Sequence, residues 1–114
     1  MKVRNYLGFS AALIASSAAV ATDRNGYRAI AAGDFRTAVQ RLEAERRIHP
    51  QRPELMLNLA AAYRRTGRSA DARALYHLVL RRPVVMLDLP SGDVASSRDL
   101  ANTGLARITE FASR

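Results

Sequence analysis

The chain has 114 residues, 48% of them hydrophobic, with eighteen Lys or Arg against ten Asp or Glu and no cysteine. That length holds one domain at most, with room for a modest core. The lack of cysteine excludes a disulfide framework, a thiolate metal site and a lipid-bearing cysteine, while a formal charge of +8 favours acidic partners or anionic surfaces in general.

The first element is a targeting segment. Two positive charges, Lys2 and Arg4, precede an apolar and small-residue run over 7–21 that ends in Ala19-Val20-Ala21. A basic start, a short hydrophobic stretch and an A-x-A site together match a cleavable secretory signal, with cleavage expected after Ala21 and export to a bacterial periplasm. The apolar stretch, about 15 residues, falls short of the roughly 20 that span a bilayer, so an uncleaved anchor is the poorer reading. No polar face recurs along it, which argues against an amphipathic helix of the fold. Cleavage leaves 22–114, with sixteen arginines, no lysine and ten acidic residues, a net charge of +6. Those arginines are spread along the chain, so nucleic acid is not the expected partner, and no transmembrane span is expected after the signal.

From about residue 23 to 84 the sequence repeats with a period of 34: Gly33 recurs as Gly67, Ala38 as Ala72 and Leu42 as Tyr76. Such a period accommodates two helices and two turns. Each glycine is expected to end a helix in the left-handed conformation, and Asp34 and Ser69 to cap the helix that follows. Ala38 and Ala72 are small enough to let paired helices approach closely. In the second copy Pro53 suits a first helical turn, having no amide to leave unpaired. Leu55, Met56, Leu59, Ala60 and Tyr63 then form one apolar stripe, and Ala72, Leu75, Tyr76, Val79 and Leu80 a second. Arg81-Arg82-Pro83 closes the hairpin, with basic residues at the negative end of the helix dipole.

These residues carry a family resemblance. Asn58-Leu59-Ala60-x-Ala62-Tyr63-x3-Gly67-x4-Ala72-x3-Tyr76-x3-Leu80 resembles a tetratricopeptide repeat, with Met56 at the usual tryptophan and Val79 at the usual late alanine. The first copy matches through Gly33-Asp34-Phe35-x2-Ala38-x3-Leu42 and Ile48-x-Pro50, but has Ala29 at the tyrosine position and Glu45 at the late alanine. The resemblance implies an all-α fold of about two helical hairpins over 22–83. In that family ligands are usually held on the concave face of the first helix of each hairpin. Carried over residue by residue, that face presents Tyr27 and Ile30, then Glu54, Leu57, Ala61, Arg64 and Arg65. Arg64 and Arg65 suit a carboxylate or a peptide terminus; the competing reading makes them solvated residues that complement a helix dipole. Asn58 is expected to brace neighbouring backbone.

The period breaks after Pro83, since a further shift of 34 carries Tyr63 to Ser97 and Tyr76 to Glu110. The apolar run over 84–89, the turn sequence Pro90-Ser91-Gly92-Asp93 and Val94-Ala95-Ser96 read as a short β-hairpin, or else as an extended loop packed on the helices. Ser96-x-x-Asp99 resembles a capping box, and Leu100, Ala101, Leu105, Ile108 and Phe111 fall on one helical face. A C-terminal capping helix over the last exposed repeat surface is expected, with Gly104 inside it explicable only by close packing.

Chemistry has no visible residues. His49 and His77 stand 28 apart without a carboxylate or second histidine at helical spacing, so no metal is expected. Ser91, Ser96 and Ser97 lack a base and suit turns and caps, while Glu43 and Glu45 point to different faces. No glycine-rich phosphate loop is present and no cofactor is expected. The sequence therefore reads as an exported, non-catalytic scaffold for a protein or peptide. The alternative is a peripheral envelope component held at anionic surfaces by its arginines. Two hairpins fall below the about three that a stable array needs, so the C-terminal helix, self-association or a partner must complete the burial.

Overall fold

A computed structural model describes residues 26–112 of the chain; the signal segment expected over 1–21 lies outside the described residues. Five helices and one short ribbon follow in order: α1 (Tyr27–Ala31), α2 (Phe35–Ile48), α3 (Pro53–Arg65), α4 (Ser69–Leu80), β1 (Met86–Asp88), β2 (Val94–Ser96) and α5 (Ser97–Ala112).

The 34-residue period reappears as one turn built twice. Gly33 and Gly67 both take positive φ, 79° and 83°. Around each, the amide three places past the last helical residue reaches back across the turn: Asp34 N donates to Ala29 O and Arg68 N to Tyr63 O, both at 2.8 Å. This left-handed closure satisfies carbonyls that a helix end would otherwise leave unpaired, and only glycine takes it without strain. The next helix begins one residue later in each copy. Asp34 fills that cap position in the first, its Oδ1 accepting from Thr37 N at 3.2 Å. In the second the position falls on Arg68, which makes no side-chain cap bond, and Ser69 is the first residue of α4. The expectation that Ser69 caps α4 is thus corrected: it stands two residues past its glycine, where Asp34 stands one.

Pro53 opens α3 at its first turn. This helix is the centre of the molecule, packed against α2 on one side and against α4 and α5 on others. Nine consecutive residues, 55–63, are buried, so its apolar stripe widens to the whole circumference. Ala38 and Ala72 are 0% exposed, in keeping with close approach of the paired helices. Leu42, Leu55, Leu59 and Tyr76 fill the space between, each contributing about 1.5–3 kcal/mol by leaving water.

A polar brace ties α2 to the α3–α4 turn. The Tyr63 hydroxyl donates to Glu43 Oε2 at 2.6 Å, and Arg68 stacks on the Tyr63 ring at 4.2 Å while pairing with Glu43 at 3.5 Å and Asp71 at 2.9 Å. Burial first, then the Glu43 hydrogen bond, push the Tyr63 phenol up to about 12.

Of the two readings of 84–96, the hairpin is the one observed. β1 and β2 pair antiparallel with Leu87 opposite Ala95, the inward pair, and Leu89 N donates to Asp93 O across the turn. Ser97 anchors the open end: its amide donates to Val85 O at 2.8 Å and its Oγ accepts from Val85 N at 3.0 Å. Ser96 Oγ accepts from Asp99 N at 2.9 Å, the first half of the expected capping box. The helix α5 then lays Leu100, Ala101 and Ile108 against α3 and α4. Gly104 receives its explanation here, for a Cβ on it would run into the ring of Tyr76, 2.6 Å from Cε1.

Candidate functional site

The face that the resemblance assigned to a ligand is largely covered. Ile30, Leu57 and Ala61 are 3%, 2% and 3% exposed. Leu57 meets Leu100, Thr103 and Gly104 of α5 across a void of about 10 Å³, about the least that holds one water. The C-terminal helix therefore occupies surface that the sequence reading left open to a partner. The side chain of Tyr27 lies outside the described residues. Glu54 and Arg64 are half-buried, and Arg65 is exposed. Asn58, expected to brace backbone, is wholly buried.

Arg65 leads to a groove that is open. A groove of about 680 Å³ runs between the start of α2 and the end of α3. Phe35, Arg36, Val39, Gln40 and Glu43 line it from α2, and Arg65, Thr66 and Arg68 from the other side. The left-handed turn at Gly33 sets Phe35 as the first residue of α2, so its ring and Val39 one helical turn on form an apolar floor. Arg65 spans the floor with its guanidinium 4.8 Å from the Phe35 ring centroid, a cation–π distance.

Charge in the groove is unevenly held. Asp34 is kept below the usual carboxylate range by its hydrogen bonds with Thr37. Burial, then the neighbouring charges of Arg64 and Arg107, bring Arg65 below its ordinary value. Arg36, Arg65 and Arg68 face Asp34 and Glu43, so the rim carries a cationic excess over an apolar base.

The sequence reading did not assign Phe35, Val39 and Gln40 to a groove. Their signal was present: Phe35 and Val39 form an i, i+4 pair beside the core positions Ala38 and Leu42. What could not be read was that α3, buried throughout 55–63, offers only its two ends to solvent. His49 and His77 are exposed, and among the described residues no group of three or more metal-ligating side chains converges. No helix among them is long and apolar enough to cross a membrane.

Two helical hairpins closed by matching glycine turns and completed by a capping helix define a helical-repeat protein. Residues 29–83, 55 of the 114 residues, match the family model of the tetratricopeptide repeat, and over this segment the chain is similar to that family. The match ends at Pro83, where the period breaks. A tetratricopeptide repeat points to a scaffold for protein–protein interaction. No curated protein and no solved structure matches the chain.

Proposed function

We propose that the protein is an exported, non-catalytic scaffold that holds a protein or peptide segment in the groove between α2 and the end of α3. The observation that carries this reading is the pairing of an apolar floor, Phe35 and Val39, with the cationic rim of Arg36, Arg65 and Arg68 in one opening. The partner is then an extended segment with alternating acidic and apolar residues. Of the residues first assigned to binding, Arg65 keeps its role, while Glu54 and Arg64 lie outside this groove. Export is supported by the basic start, the apolar run and Ala19-Val20-Ala21.

A photo-crosslinking residue placed at Gln40 tests the groove against one at the exposed Thr109. Adducts specific to position 40 that vanish in R65E support the reading; equal labelling at both positions refutes it. Mass spectrometry of the protein recovered from its host tests export, the expected mature start being Thr22. A second reading, attachment to anionic surfaces, draws on the sixteen arginines of 22–114. Co-sedimentation with anionic vesicles at two salt concentrations separates the two, since surface attraction weakens as salt rises.

A further inference from the structure

Outside the groove, the end of α3, the start of α4 and the middle of α5 enclose a second opening of about 300 Å³. Arg64 and Arg65 reach it from α3, Ser69 from α4, and Arg107 with Ile108 from α5; none of these five residues is acidic. Three guanidiniums drawn from two helices into one small space oppose one another. Their mutual effect is visible on Arg65, lowered by burial and then by the charges of Arg64 and Arg107. The Nε of Arg64 is buried and makes no hydrogen bond of ordinary geometry. Beside it lies the hydroxyl of Tyr76, 1% exposed, whose interaction with Arg64 falls short of ordinary hydrogen-bond geometry. The start of α4 adds to the same field. Its cap position, Arg68, makes no cap bond, and its first-turn acid, Asp71, is engaged by Arg68 at 2.9 Å.

We propose that this opening binds a phosphate-like oxyanion between Arg64, Arg65 and Arg107, with Ser69 as a further donor, and that the bound anion fastens α5 to the α3–α4 hairpin. Guanidinium forks match the oxygens of phosphate, and a tetrahedral dianion presents an oxygen to each of three forks where a carboxylate has only two oxygens in one plane. The volume lies at the lower end for ligand sites, which suits a compact anionic head. The site goes beyond peptide binding. Arg65 is shared with the groove, whereas Ser69 and Arg107 line this opening and not the groove.

The test follows the melting temperature and the arginine Nε–H NMR signals of the full chain as inorganic phosphate replaces chloride at constant ionic strength. At phosphate about tenfold above Kd, Tm rises by roughly 5 °C and the Arg64 signal moves. R81Q, removing an exposed arginine far from the opening, keeps the response; R107Q loses it. R107K, which keeps charge and stem but not the fork, weakens the response and serves if R107Q fails to fold. Vesicles with phosphomonoester headgroups, set against vesicles of equal carboxylate charge, tell the source: Arg107-dependent sedimentation with the former assigns a headgroup, and a response to inorganic phosphate alone assigns the free ion. Equal effects of phosphate and chloride, or a phosphate response that survives R107Q, overturn the proposal. The Gln40 crosslinks do not depend on Arg107, so either idea can fail alone.

Discussion

Replacing Gly104 by alanine sets two effects against each other. In an open helix interior the change stabilises by about 1 kcal/mol, because glycine gives up more backbone freedom on folding. Here the added Cβ meets the ring of Tyr76, 2.5 Å from Oη and 2.6 Å from Cε1, where ordinary contact begins at 3.4 Å. Tyr76 cannot swing aside without opening the core, being 1% exposed. Overpacking of this kind costs about 1–3 kcal/mol, and the depth of the overlap puts it at the upper end. The net expectation for G104A is a loss of about 1–2 kcal/mol, read as a fall in Tm of roughly 5–10 °C for a domain of this size. The decisive measurement is urea unfolding of G104A alone and on a Y76L background. Without the ring the same substitution becomes neutral or stabilising by up to about 1 kcal/mol, a coupling of about 2 kcal/mol between the two positions. If G104A stabilises the wild type, or changes stability equally in both backgrounds, α5 does not seat on Tyr76 as described.

Gly67→Ala, at φ 83° with nothing within 4 Å of its Cβ, carries backbone strain alone and loses about 1–2 kcal/mol in urea unfolding, with Gly67→Asn losing less. Ala72→Leu places a branched side chain at a 0% exposed position between paired helices and lowers stability by about 1–3 kcal/mol, measured by thermal melting. Tyr63→Phe removes the 2.6 Å hydrogen bond to Glu43 and costs about 1.5–3 kcal/mol near neutral pH. In the wild type the Tyr63 phenol is raised from 10.0 to about 12 by burial and then by Glu43. Its contribution is therefore complete below pH 10 and lost as pH climbs to 12, because the unfolded chain releases that proton first. Unfolding free energies across this window fall more steeply for wild type than for Y63F; parallel slopes contradict the brace.

The hairpins were legible because their signals are local. A helix end that needs positive φ selects glycine, a close helix crossing selects alanine, and both recur at a spacing fixed by the length of two helices and two turns. The residues over 84–97 announced themselves likewise, through a turn sequence between two short apolar runs and a serine where a helix begins. The cap at the start of α4 was misplaced by one residue because the amide that closes the turn belongs to Arg68, a residue type without a capping oxygen. Periodicity marks which face is apolar but not how many neighbours surround it, so the all-round burial of 55–63 was not readable.

The amino-acid sequence by itself determined that residues 29–83 form paired helices of the tetratricopeptide type, because turn chemistry and small-residue spacing act over a few residues. Which surface stays open was decided only in the tertiary structure. Leu57 and Ala61 look like groove residues in one dimension, and they are buried once α5 folds back over α3. The opening moved instead to Phe35, Val39 and Arg65, and Arg64 was brought to Arg107, 43 positions away in the chain. The covering of Leu57 and the meeting of Arg64 with Arg107 both turn on Gly104, whose missing side chain lets α5 lie against Tyr76.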